Sequence, residues 1–277
     1  MRPLLYVSLL VLLFGCQNPR NVLDKQDSKE TQALREARIK LPNGWSLTPV
    51  GNSVSLQDLP LNLIVSPGKT LLAVTNNGQS TQSITLIDAQ SEQILDDVTI
   101  AKAYLGLAFS PDEKYLYASG GNDNKILIYK ITNKKLILDG EIVLDDPWPV
   151  KVSPAGLCAT DKYVYVVAKE NNSLYKLNIE SKSIETRIDL PAEPYTCVLS
   201  PDNATLYVSI WGGARIWVLN SGDLSFKSAS ESDKNPNDMV LTKDGKHLFD
   251  SHHTAPEEFK SKYPVDRITL PEMCRML

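Results

Sequence analysis

The sequence predicts an all-β chain, a β-propeller of four-stranded antiparallel blades, and three observations carry the prediction. A segment with the same strand-and-turn order recurs, placing Ala73, Tyr117, Tyr165, Tyr207 and Phe249 at equivalent strand positions. Their spacings of 44, 48, 42 and 42 residues match the period of one propeller blade. Within each repeat apolar and polar residues alternate with a period of two, and turn residues interrupt the pattern roughly every 8–12 residues. No segment of the body carries a helical stripe.

Each repeat divides the same way. The first spans residues 62–95. Its opening strand (Leu63-Ile64-Val65) ends at Ser66-Pro67-Gly68, where proline presets φ and glycine completes the turn. The runs LLAVT, SITLID and QILDDVTI supply its second, third and fourth strands. The second repeat, from Gly106, follows with LAF, YLYAS, KILIYK and KLILDGEIVL. In the third, Val150-Lys151-Val152 is read as the first strand and Ser153-Pro154 as its turn, followed by an insertion; YVYVV, SLYKLN and SIETRIDL complete it. The fourth begins CVLSPDNATLYVSI at Cys197. A fifth begins NDMVLTKDGKHLF at Asn237 and then loses the pattern. Four blades are therefore clear and a fifth is partial. The runs Asn76-Asn77-Gly78, 120–124 and Glu170-Asn171-Asn172 could be calcium or phosphate loops. Their common place between second and third strands favours turn chemistry, since Gly and Asn tolerate positive φ.

The N-terminus reads as an address. Arg2 precedes an apolar run from Leu4 to Phe14, shorter than the roughly 20 residues of a membrane-spanning helix and suited to a signal peptide. Leu13-Phe14-Gly15-Cys16 resembles the bacterial lipobox, which implies lipidation of Cys16. Residues 17–40 are polar and suit a tether. Gln17 stands where an aspartate would retain a lipoprotein at the inner membrane, so outer-membrane anchoring is the expectation. The organisation read here is a lipoprotein signal peptide (1–16), a polar linker (17–40), propeller repeats (41–249) and an atypical tail (250–277).

The repeats, with Ala73-Val74-Thr75-Asn76 and Tyr207-Val208-Ser209 at equivalent places, resemble the YVTN-type repeat of bacterial β-propellers. The opening LPNGWSLTPVG, with LPLNLIVSP and AVTNNGQSTQSITLID, is similar to the YncE-like branch. That resemblance implies an incomplete seven-bladed ring, which would take roughly 300 residues. It also implies that residues 45–59 hold a strand completing the last blade. Some relatives carry a phosphoesterase domain of the alkaline phosphatase superfamily after the propeller. The tail segment TAPEEFKSKYPVDRITLP resembles a short stretch of the sulfatases. Their Cys-x-Pro-Ser-Arg nucleophile motif is absent, so no sulfatase chemistry follows. A truncated or frameshifted reading frame near Phe249 is the expectation.

Composition narrows the chemistry. With 29 Lys+Arg against 33 Asp+Glu, the net charge of −4 offers no broad basic footprint for nucleic acid. All three histidines, His247, His252 and His253, fall near the end, so a histidine-based site in the body is excluded. The adjacent pair His252-His253 points to opposite faces of an extended chain and chelates poorly. Gly-x-Ser-x-Gly and P-loop motifs are absent. Asp96-Asp97 and Asp145-Asp146 read as solvated carboxylates at strand ends. Cys158 and Cys197 fall in adjacent blades, but seven residues before Tyr165 and ten before Tyr207, so separate thiols are expected. Trp148, between blades, and Trp211, in a loop that departs from its polar counterparts, are the candidate ligand contacts.

The function expected is a non-enzymatic, cofactor-free binding module for a protein or small molecule. It would meet the membrane through its lipid anchor and could self-associate through an open blade edge. The alternatives are the propeller half of a bifunctional phosphoesterase and a lactonase-like hydrolase.

Overall fold

The computed structural model describes residues 38–40, 43–47 and 52–252. Residues 1–16, read above as a signal peptide ending at Cys16, almost all of the stretch read as a linker, and the tail from His253 on, including Cys274, lie outside them. Contacts divide the chain into two units, one ending at Val54 and one beginning at Ser55. In the first, β1 (Ile39–Lys40) and β2 (Ser46–Leu47) form an antiparallel ribbon. The strand foreseen in residues 45–59 is therefore two residues long and pairs within its own unit, and residues 52–59 hold no strand.

The second unit is a β-propeller of four antiparallel four-stranded blades followed by a two-stranded sheet. Blade 1 comprises β3 (Pro60–Val65), β4 (Leu71–Asn76), β5 (Ser83–Asp88) and β6 (Ile94–Thr99). Blade 2 comprises β7 (Leu107–Phe109), β8 (Tyr115–Ser119), β9 (Lys125–Thr132) and β10 (Lys135–Val143). Blade 3 holds β11 (Pro154–Ala159), β12 (Tyr163–Ala168), β13 (Ser173–Asn178) and β14 (Ser183–Asp189). Blade 4 holds β15 (Pro194–Leu199), β16 (Thr205–Ile210), β17 (Arg215–Asn220) and β18 (Phe226–Glu231). Finally β19 (Pro236–Leu241) pairs with β20 (Leu248–His252).

The turn after the first strand is, in three of the repeats, a small hydrogen-bonded device. Ser110 Oγ donates to Asp112 (2.7 Å) and accepts the Tyr115 N–H (2.9 Å), while Asp112 also accepts the Lys114 N–H (3.1 Å). The Ser110 hydroxyl, then Lys114, hold Asp112 down at about 2. Ser200 with Asp202 and Thr242 with Asp244 repeat the pattern. A hydroxyl and a carboxylate thus satisfy the N–H groups that a tight turn takes out of the ladder.

The third repeat departs from the sequence reading. Its first strand begins at Pro154, and Val150-Lys151-Val152 belongs to the preceding connection. Pro154 occupies the place of Pro60, Pro194 and Pro236 at the head of a first strand, where a missing N–H costs little. No residues are inserted after Pro154; the extra ones lie before it, in the ten-residue connection 144–153, where four residues join β14 to β15. The turn is instead Thr160-Asp161-Lys162, three residues where five join β15 to β16, and Thr160 Oγ1 accepts the Tyr163 N–H at 3.0 Å.

The core lies between blades. Alternation within a single strand serves two seams at once. In β8, Leu116 and Ala118 pack toward blade 1 while Tyr117 packs toward blade 3. In β12, Val164, Val166 and Ala168 face blade 2, and Tyr165 and Val167 face blade 4. Three such seams join the four blades.

Polar ties cross the same seams. The Tyr165 hydroxyl donates to Ser221 O at 2.8 Å, and burial pushes it up to about 12. Buried Lys176 reaches Gly222 O at 2.5 Å and pairs with Glu185 at 3.2 Å. Asp96, expected at a solvated strand end, instead lies within β6. It pairs with Lys135 of blade 2 at 3.1 Å and accepts the Leu136 N–H at 2.8 Å. In blade 1, Leu61, Leu63 and Val65 of β3 remain exposed.

Candidate ligand-binding site

Strand register builds one rim of the propeller. In blade 4, Pro194 pairs with Ile210, Ile210 with Arg215, and Arg215 with Glu231. In blade 3 the row is Pro154, Ala168, Ser173 and Asp189. In blade 1 it is Pro60, Asn76, Ser83 and Thr99. The loops between second and third strands, and the connections from blade to blade, all leave from this row.

One position recurs along the rim. The residue four places after Ala73, Tyr117, Tyr165 and Tyr207 is Asn77, Gly121, Lys169 and Trp211 in turn. The same step from Phe249 reaches His253, outside the described residues. The loops of blades 2, 3 and 4 each end in a left-handed residue, Asn124 (φ 51°), Asn172 (φ 51°) or Ala214 (φ 49°). Asparagine tolerates that region better than most residues.

Asn77, Gly121 and Lys169 line a cavity of about 350 Å³. Lys102 adds a second ammonium, while Gln82, Asn122 and Ser153 add neutral polar groups and Glu170 a carboxylate. Tyr104 supplies an aromatic wall. Lys169 is the best-fixed group. It pairs with Glu193 at 3.0 Å, and its Nζ lies 5.4 Å from the Trp211 ring centre and 5.8 Å from that of Tyr195. Burial alone would lower the Lys169 ammonium, but Glu193, Tyr104 and Tyr195 together hold it above its ordinary value. The side chain therefore stays charged across the physiological range. For Tyr195 burial acts in the opposite sense and raises the phenol, which stays neutral.

Of the two sequence candidates, Trp211 stands against Lys169. It opens a short 3-10 turn, Trp211–Gly213, and its carbonyl accepts from Asn235 Nδ2 at 3.2 Å. Trp148 is on a separate connection, 61% exposed, with Lys151 Nζ 5.6 Å from its ring centre. Its loop is anchored by Asn124, which is fully buried. Asn124 Nδ2 donates to Asp146 O (2.6 Å) and Val150 O (2.7 Å), and Oδ1 accepts the Ser153 N–H (3.1 Å). Asp145 and Asp146 belong to this anchored loop.

A second cavity, about 360 Å³, opens on the flank between blades 2 and 3. Of its two cations, Arg187 is engaged by Ser173 and Asp189, and Lys151 lies beside the Trp148 ring, with Asp145 in the same lining. Among the described residues, no three His, Cys, Asp or Glu side chains gather as a metal site.

Sequence reasoning missed Lys169, Glu193, Tyr195 and Tyr104. The signal for Lys169 was present in the repeat column that also holds Trp211.

No protein-family profile matches the chain, and no curated protein does. Solved structures do. Hydrazine synthase of Kuenenia stuttgartiensis is 22% identical at a TM-score of 0.60, with 79% of this chain and 62% of that chain covered. A Lactobacillus plantarum protein is 16% identical at a TM-score of 0.58, with 69% and 63% covered. A functionally unknown protein from Desulfotomaculum acetoxidans is 18% identical at 0.60, with 73% and 68% covered. The chain thus spans less than two thirds of the first two, and the likeness is one of fold.

Removing the Asn124 side chain tests the anchoring of the rim. Asn124→Ala should cost about 1–3 kcal/mol in denaturant unfolding, from the carbonyls and N–H left unpaired. Amide exchange at Trp148 and Ser153 should quicken while blade 4 keeps its protection. Unchanged exchange at those amides would count against the anchor.

Proposed function

We propose that this chain is a lipid-anchored cell-envelope propeller of the YVTN type that binds a small anionic ligand on its rim. The observation that carries the binding reading is the convergence of Asn77, Gly121 and Lys169 from three blades on one cavity that also holds Lys102. Two ammonium groups with amides and a hydroxyl suit carboxylate or phosphate oxygens, and charge-assisted bonds are the stronger kind. Trp211, Tyr195 and Tyr104 would give such a ligand an apolar flank beside the charge.

The five repeats, three of them with a hydroxyl-and-carboxylate turn, support the YVTN assignment. The lipobox-like Leu13-Phe14-Gly15-Cys16 and the polar stretch after it support anchoring through Cys16. Self-association through the open edge has its support in the exposed Leu61, Leu63 and Val65 of β3.

Calorimetric titration of the purified chain with inorganic phosphate and with succinate tests the site. At least one should saturate. Lys169→Met should weaken it by about tenfold or more, the loss of one charge-assisted hydrogen bond, whereas Lys182→Met, at the turn between β13 and β14, should not. No saturable binding of either anion, or equal binding by Lys169→Met, would refute the anionic-ligand reading.

Anchoring is tested separately by labelled palmitate. Incorporation should occur in cells expressing the chain and disappear with Cys16→Ala; incorporation that survives this change would place the lipid elsewhere.

A further inference from the structure

Cys158 lies in β11 and Cys197 in β15, the first strands of neighbouring blades. Counted along the chain their repeat offsets differ by three residues, which argues against a pair. Two of those three vanish in the short Thr160-Asp161-Lys162 turn, three residues against five. In register Cys158 stands opposite Tyr165, and Cys197 opposite Val208, leaving a displacement of one residue. The two strands also approach closely. A Cβ placed on Gly156 would lie 2.5 Å from Thr196 Cα, so only glycine admits this spacing. The two sulfurs consequently rest 3.4 Å apart as free thiols.

We propose that Cys158 and Cys197 are an oxidisable pair that forms a disulfide across the seam between blades 3 and 4. A disulfide needs its sulfurs at about 2.0 Å, so they must close by roughly 1.4 Å. Cys197 is buried and Cys158, packed against the same core, is the less buried of the two, so Cys158 is the thiol that reacts with the oxidant first.

The oxidant is a disulfide, of a protein or of glutathione. Cys158 loses its proton, and its sulfur attacks one oxidant sulfur, forming a mixed disulfide and expelling the other half as a thiolate. Cys197 then loses its proton and attacks the Cys158 sulfur, expelling the second half. Two protons and two electrons leave the pair, and the oxidant ends as two thiols. Burial, with Cys197 alongside, holds the Cys158 thiol well above its ordinary range. The exchange is therefore slow at neutral pH and accelerates as pH rises.

The linkage would join the blade that carries Lys169 to the blade that carries Glu193, Tyr195 and Trp211. It stands independently of any ligand.

Peptide mapping of the full chain tests it. The folded protein is incubated with oxidised glutathione, alkylated in denaturant and digested with trypsin. The expected product joins peptides 152–162 and 188–215, two hydrogens lighter than their sum, and is distinct from any link to Cys16 or Cys274. It should vanish with Cys158→Ser or Cys197→Ser, and should raise the thermal midpoint by roughly 5–10 °C relative to reduced protein. Should Cys197→Ser fail to fold, Cys158→Ser at the more exposed position still carries the control. Full alkylation of both cysteines, glutathione adducts without the joined peptide, or a link formed only in denaturant would overturn the proposal.

Discussion

A blade with two apolar faces cannot be stable alone, and the rest of the structure follows from that constraint. Burying apolar surface contributes about 25 cal/mol per Å², but each inner strand here divides its apolar residues between opposite faces. Tyr117 and Leu116 are adjacent in β8 yet belong to different seams. A neighbour is therefore required on each side, and blades stack as repeat proteins do, each resting on the next. Polar side chains that cross the seams, such as Lys176, Asp96 and Tyr165, fix the relative position of sheets that apolar contact alone would let slide.

Stacking also makes the site. Because every blade has the same strand order, equivalent loops emerge at the same rim, and one column of the repeat becomes a row of neighbours. Lys169 and Trp211 are 42 residues apart in sequence but one blade apart in space, which is how an ammonium comes to lie 5.4 Å from an indole ring. Diversity along that column is what distinguishes this rim from a plain set of turns. An asparagine, a glycine, a lysine and a tryptophan occupy equivalent places after the second strand, and Gly121 differs from the other three in its positive φ.

Strands are largely legible in the sequence because alternation and turn chemistry are local. The same locality explains the misreadings. Ser153-Pro154 has the composition of a turn, and only strand pairing reveals Pro154 as the head of β11. Asp96 reads as solvated because its partner Lys135 belongs to the next blade. Lys169 is hidden in a polar loop, Lys-Glu-Asn-Asn, whose members look like turn residues one by one. The cysteine offset hides proximity for a related reason: the short turn after β11 widens the apparent offset, while across the seam the two thiols, free as expected, stand 3.4 Å apart.

Mapping the rim directly is the most incisive measurement. Amide chemical shifts of the purified chain, followed during a phosphate or succinate titration, report which residues meet the anion. Shifts gathered at residues 77, 82, 102–104, 121–122, 153, 169–170 and 211 are the predicted result. Shifts confined to the flank around Arg187, or to the exposed β3 strand, would contradict a binding site built from the repeated rim position.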